Sequence, residues 1–300
     1  MTYQGPPDRT TNMERKTILI TGSTDGIGKI TATALAKQGH TVIIHGRNKE
    51  KAEAVRQQLV AETDNGSIDI LIADLLSLAD IKKMAEAFRK KYGHLDVLIN
   101  NAGAFFGKIR EITPEGFEKT FTLNLLAPFL LTQLLLESVC KSKSGRIINL
   151  YSAMHRRGGK PDFDDFQSEK SYAPARAYGL SKLYLVWITQ HLAKRLKQKG
   201  INHVTVNACH PGAVATNFGQ DADKGFIINA VFKAALWFMP KPETGAQTSI
   251  YLATSPDVEH VSGQFYNQKG EIEQPADKYY TAENEQLVWD YCEKITANFR

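Results

Sequence analysis

The stretch Thr17-Ile18-Leu19-Ile20-Thr21-Gly22-Ser23-Thr24-Asp25-Gly26-Ile27-Gly28-Lys29 decides the fold. An apolar, β-branched run enters a glycine-rich turn, and the apolar-periodic pattern Ile27–Gln38 leaves it as a helix. Gly22 permits the tight turn, Gly26 lets backbone approach a pyrophosphate, and Gly28 allows the helix to pack closely. The helix N-terminus offers free N–H groups and the positive end of its dipole to phosphate. A glycine triplet alone is weak evidence; its place directly after the first strand gives it weight.

The same alternation continues outward. Short strand-like runs fall at Thr41–His45, Ile68–Ala73, Val97–Asn100, Arg146–Leu150, Val204–Ala208 and Gln264–Tyr266. Helical patterns lie between them at Lys49–Glu62, Leu78–Lys91, Pro114–Val139 and Ala175–Lys199. Strands that are apolar almost throughout suit burial on both faces. The class is α/β, a doubly wound parallel sheet in a single domain over residues 16–300, behind a polar tail at 1–15 that is expected to be disordered.

Composition narrows the function. Of 300 residues, 42% are hydrophobic and 23% charged, ordinary for a globular chain, and 37 Lys and Arg against 32 Asp and Glu leave a net charge of +5. The charges are interspersed rather than massed, so no nucleic-acid partner is expected. Cys140, Cys209 and Cys292 are odd in number and far apart, which suits neither a disulfide framework nor a metal centre and points to a reducing, cytoplasmic setting. Met1–Lys16 has no apolar core of the kind a signal peptide or anchor requires, and Leu123–Val139, interrupted by Asn124, Pro128 and Gln133, is expected to be a buried helix.

The second strand ends in His45-Gly46-Arg47-Asn48. A site preferring NAD(H) places a carboxylate there for the ribose hydroxyls, and none is present. Arg47 instead suits a 2′-phosphate, with Ser23, Thr24 and Lys29 assisting from the glycine loop, so NADP(H) is the expected cofactor and NAD(H) the lesser one.

Tyr178 and Lys182 stand four apart in a helical pattern and share a face. A free phenol, with a pKa of about 10, is a poor acid-base catalyst at neutral pH, and a neighbouring ammonium favours its ionised form. Tyr-x-x-x-Lys by itself is commonplace; its company is not. Asn101-Ala102-Gly103 follows one strand and Ser152 closes another, and open α/β sheets bind ligands at those carboxyl ends. Ser152 can hold a substrate oxygen beside Tyr178. Asn124 reads either as a satisfied core amide or as a break in helix hydrogen bonding. Cys209-His210-Pro211-Gly212 turns after a further strand and brings backbone amides and Thr216 toward the cofactor, with His210 a packing residue rather than a base.

Thr21–Gly28, Asp74-Leu75, Asn101–Gly103, Asn124, Ser152, Tyr178 with Lys182, and Pro211–Thr216 together resemble the short-chain dehydrogenase/reductase family, over about Lys16 to Asn267. The resemblance implies a Rossmann fold and a tetrad of Asn124, Ser152, Tyr178 and Lys182. In it Lys182 also holds the nicotinamide ribose and Asn124 anchors a proton-relay water. The resemblance further implies that Asp74 contacts the adenine and that Asn101 and Val214 line the cofactor. Gly28-Lys29, Gly46-Arg47, the long interval from Ser152 to Tyr178, Glu243–Ser249, Val261–Tyr266 and the terminal helix Leu287–Lys294 look like the retinol dehydrogenase branch, from which the chain departs in Gly46, where a cysteine is usual.

Met154–Ala175 is a polar insertion expected to rim the site, and 213–240 is expected to be a substrate lid. Within it Phe226–Met239 is apolar apart from Asn229 and Lys233. Three roles suit it: a cover over a small lipophilic carbonyl or alcohol substrate, a homodimer interface, or a peripheral membrane contact. The expected activity is hydride transfer between NADP(H) and such a substrate. The alternatives are an NAD-linked hydroxysteroid or acyl-chain oxidoreductase and an NADP(H) sensor with weak catalysis.

Overall fold

A computed structural model describes residues 14–212 and 242–300. Seven strands make one sheet: β1 (Thr17–Ile20), β2 (Thr41–Gly46), β3 (Ile68–Ile72), β4 (Val97–Asn100), β5 (Gly145–Leu150), β6 (Val204–Cys209) and β7 (Phe265–Tyr266). Their order is β3-β2-β1-β4-β5-β6-β7, and every adjacent pair is parallel. Strand order reverses between β1 and β4, which opens a crevice at their carboxyl ends. The expected tail, the 213–240 lid, Phe226–Met239, Val214 and Thr216 lie wholly or almost wholly outside the described residues.

Alternation along β1 shows why the sheet is covered on both sides. Ile18 and Ile20 point into the layer built on α1 (Gly26–Lys37), α2 (Lys49–Thr63) and α7 (Pro242–Thr254), whereas Leu19 points into the opposite layer. That second layer is built on α3 (Leu78–Lys91), α5 (Ala127–Cys140), α6 (Pro174–Gln198) and α8 (Ala282–Thr296). All three side chains are fully buried, each worth about 1.5–3 kcal/mol relative to exposure.

The expected helix Pro114–Val139 differs from what forms. Thr113–Glu118 is a turn, with Gly116 at φ +87° and Gly116 N donating to Thr113 O, and Ile112 bridges Glu118 in antiparallel fashion. The helix starts only at α4 (Lys119–Phe121), where the buried Glu118 carboxylate accepts from the amides of Thr120 and Phe121. It widens into a π-helical turn at Thr122–Leu126 before continuing as α5. The run 119–140 is long and apolar enough to cross a membrane, but 67% of its most apolar window is buried inside the fold.

Catalytic-helix candidate α6 is held from behind by α8. Glu285, almost wholly buried, meets His191 Nδ1 at 3.2 Å and accepts from Lys194 Nζ and the Tyr280 hydroxyl, each at 2.8 Å. Burial alone would raise its pKa, but the hydrogen bonds from His191, Lys194 and Tyr280 outweigh it and hold the carboxyl below the usual range. Glu285→Ala is therefore expected to cost about 1–3 kcal/mol at neutral pH. The contribution is complete above the ordinary glutamate range and vanishes as pH falls through the lowered value; urea unfolding of both proteins from neutral to acid pH measures this convergence.

Candidate active site

The glycine turn is set by close contact. A Cβ on Gly28 would lie 2.4 Å from Gly22 O and 2.5 Å from Asn101 Nδ2, so no side chain fits there. Asn101 Nδ2 donates to Thr21 O at 2.7 Å and to Gly22 O at 3.1 Å, tying the end of β4 to the turn after β1. Asp25 caps α1 through Gly26 N.

His45, at the end of β2, locks the other side of the turn. Its Nδ1 accepts from Gly22 N at 3.0 Å and its Nε2 meets Ala73 O at 3.2 Å, so the ring carries its proton on Nε2. Burial lowers its pKa to about 4 and keeps it neutral. Ser23, expected to help hold a phosphate, does not face the cleft. Its side chain is fully buried, donating to Ile20 O at 2.7 Å and accepting from His45 N at 2.9 Å, which spends the hydroxyl on joining β1 to β2. Lys29 likewise turns away, donating to Gln58 Oε1 at 2.7 Å across α1 and α2.

A cleft of about 730 Å³ runs over the switch point, of a size that suits a large ligand. Gly22, Thr24, Gly26, Ile27 and Gly28 line it along the turn, Arg47, Asp74 and Leu75 at the β2 and β3 end, and Asn101, Gly103, Tyr178, Lys182 and Pro211 at the other. Gly212 follows Pro211 at φ +76°. His45, Asn48, Lys51, Phe106 and Tyr151 also reach the cleft and were not anticipated. For Lys51 a signal existed, since it lies four residues after Arg47 at a helix start; for a lone strand-end histidine there was none.

Four side chains converge at the inner end. Ser152 follows β5 and its Oγ accepts from Met154 N at 3.2 Å. Tyr178 and Lys182 lie on α6 as their spacing requires, with Lys182 Nζ 5.9 Å from the phenol ring centre and donating to Leu150 O at 2.9 Å. Asn124 sits in the π turn and satisfies both Ala104 backbone groups, Nδ2 donating to Ala104 O at 2.9 Å and Oδ1 accepting from Ala104 N at 3.2 Å. It is at once a satisfied amide and a helix break. A Cβ on Gly103 would be 2.9 Å from Asn124 Oδ1 and 3.3 Å from Lys182 Nζ, so glycine leaves room for them to approach.

The electrostatics differ from the expected tuning. Burial pushes Tyr178 up to about 12, and a hydrogen bond with Ser152 draws it only partly back. Burial lowers Lys182 to about 7, so the amine is itself desolvated and does not act as a permanent cation beside the phenol. The cleft thus holds a neutral phenol fit to give a proton to an oxygen, with Ser152 beside it. A turn whose glycines leave room for close approach, donors at a helix start and a long cleft fit a nicotinamide dinucleotide. Gly22, Gly26, Ile27 and Gly28 would hold its phosphates, and Lys182 its inner ribose; when bound it supplies or accepts the hydride.

A doubly wound sheet with this cleft and this polar cluster defines a dinucleotide-binding oxidoreductase. Residues 16–225 match the short chain dehydrogenase family, and the chain belongs to it. The chain is 38% identical to retinol dehydrogenase 14 of Mus musculus over 296 residues, covering 95% of this chain and 87% of that protein. It is 41% identical to human polyprenol dehydrogenase over 258 residues, covering 84% and 76%. Among solved structures, a short chain dehydrogenase of Escherichia coli CFT073 complexed with NADPH superposes with a TM-score of 0.66 at 26% identity, covering 86% of this chain and 97% of that one. The chain is thus an oxidoreductase of alcohol and carbonyl groups with retinol dehydrogenase-like relatives.

Because Lys182 binds a proton more weakly folded than unfolded, the unfolded chain holds more protons between about pH 7 and the ordinary lysine value, and stability rises with pH there. Relative to Lys182→Met, the wild-type chain is expected to gain up to about 1.4 kcal/mol per pH unit between about pH 7 and 9. Urea unfolding of both at three pH values reads the difference; a constant offset would refute a desolvated amine.

Proposed function

We propose that the chain moves a hydride between NADP(H) and a lipophilic alcohol or carbonyl compound. The observation that carries this is the convergence of Ser152, Tyr178, Lys182 and Asn124 at the inner end of a cleft whose outer end carries Arg47. In the reducing direction, Ser152 steadies the carbonyl oxygen and Tyr178 delivers the proton as hydride reaches carbon. In the oxidising direction the proton leaves by the same hydroxyl.

Several features support the finer points. Arg47 and Lys51 line the cleft beside the start of α2, whose Asn48 cap accepts from Lys51 N at 2.6 Å. Two cations and a helix N-terminus favour a 2′-phosphate. Phe105 packs against Tyr178 with ring centres 5.5 Å apart, and Phe106 and Leu123 line the same end, which favours an apolar substrate. Relatives named for retinol and polyprenol are named for lipophilic alcohols. Three free cysteines agree with a reducing, cytoplasmic location.

Tyr178→Phe is expected to lower kcat with a lipophilic aldehyde by roughly 10²- to 10⁴-fold with little change in NADPH affinity; full turnover in this variant would refute the role of the phenol. Arg47→Ala is expected to raise the KM for NADPH by about tenfold while leaving that for NADH nearly unchanged. Steady-state rates followed at the reduced nicotinamide absorbance decide it, and an unaltered preference would remove Arg47 from cofactor selection.

A further inference from the structure

Behind the cleft lies a cluster of titratable groups that the chemistry above does not use. His210 follows β6 and is buried. Its Nδ1 accepts from Gly212 N at 3.1 Å, so its proton sits on Nε2, which faces Glu273 Oε1 at 3.4 Å. The same carboxylate oxygen accepts from the Tyr151 hydroxyl at 2.6 Å, and the Tyr151 ring stands edge-on to His210 with centres 5.3 Å apart. Glu273 is itself fixed, its N–H donating to Phe265 O at 2.8 Å. The segment after β7 also braces the turn directly, since a Cβ on Gly212 would lie 3.3 Å from the Gln268 side chain.

Resting on the reading of the cleft as a dinucleotide site, we propose that His210, oriented by Glu273, is a positioning residue for cofactor binding, acting through the Gly212 amide to hold the Pro211–Gly212 turn. Pro211 forms part of the cleft wall, so the turn's position sets the shape the dinucleotide meets. A neutral ring with Nδ1 as acceptor is required. Burial disfavours the cation, Arg156 opposes it, and Glu273 favours it, the balance leaving the ring below the ordinary histidine range. Among the described residues, the Cys209 thiol next in the chain is buried and meets Ser249 Oγ, and His155 is engaged elsewhere, between Ser152 O and Ala276 N.

The substitution His210→Asn separates positioning from simple structural support. It offers Gly212 N–H an acceptor two residues back, as in an Asx turn, but neither titrates nor needs Glu273. The test is a double-mutant cycle on the Kd for NADPH, measured by titration calorimetry on wild type, Glu273→Ala, His210→Asn and the double variant. Glu273→Ala is expected to raise Kd roughly five- to tenfold in the wild-type background and less than about twofold in His210→Asn. An equal factor in both backgrounds, or no effect in either, overturns the proposal. If Glu273→Ala does not fold, the pH profile decides. From about pH 7.5 to about pH 5 the wild-type Kd should rise more steeply than that of His210→Asn, because only the wild-type ring gains a proton at Nδ1 and loses Gly212. Identical profiles overturn it. A wild-type chain that binds neither NADPH nor NADH instead overturns the reading of the cleft itself.

Discussion

The joint between the first glycine turn and the end of β4 is what the rest of the molecule depends on. Gly28 lies so close to Gly22 O and Asn101 Nδ2 that a single added carbon would separate them. Asn101 bridges the carbonyls of Thr21 and Gly22, so α1 can start only where the sheet changes direction. Backbone groups at the start of α1 thereby line the crevice, an arrangement that suits a phosphate without any cationic residue in the turn itself. The family's chemistry follows from this placement, because the far end of the same crevice falls at the ends of β4 and β5, where Gly103 and Ser152 stand.

Neutral histidines recur around the cleft as backbone clamps. His45 holds Gly22, His155 holds Ser152, and His210 holds Gly212, each with one ring nitrogen accepting and the other donating or facing an acceptor. An imidazole in a fixed tautomer has one acceptor and one donor nitrogen, so it can join an N–H to a C=O or carboxylate. Burial lowers the pKa of all three, which keeps them in the form that can bridge. The polar loops at the carboxyl edge are therefore rigidified by groups that take no part in hydride transfer.

Much of the fold was legible in the sequence because parallel strands buried on both faces are apolar throughout, and helices covering them keep a period near 3.6. Strand and helix positions accordingly agree to within a residue or two, apart from Pro114–Val139 and the terminal helix, which starts at Ala282, five residues before the expected Leu287. There Glu118 and the Thr113–Gly116 turn outweigh apolar periodicity, since a buried carboxylate finds its partners only by capping a later helix start. The glycines, Tyr178 and Lys182 were legible for a similar reason: their spacing is their geometry, four residues on a helix or a turn after a strand.

Sequence by itself determined the sheet class, the glycine turn and the shared helix face of Tyr178 and Lys182, all consequences of local spacing. Only the tertiary structure decided which polar groups serve the cleft and which serve the frame. Ser23 looked like a phosphate ligand and is a strand clip, because its hydroxyl meets His45 N from a strand more than twenty residues away in the chain. Lys182 reads from its spacing as an ammonium beside the phenol and is a desolvated amine, because the π turn at Thr122–Leu126, α6 and β5 close around it. Burial and long-range partners set protonation and orientation, and neither is written in any stretch short enough to read alone.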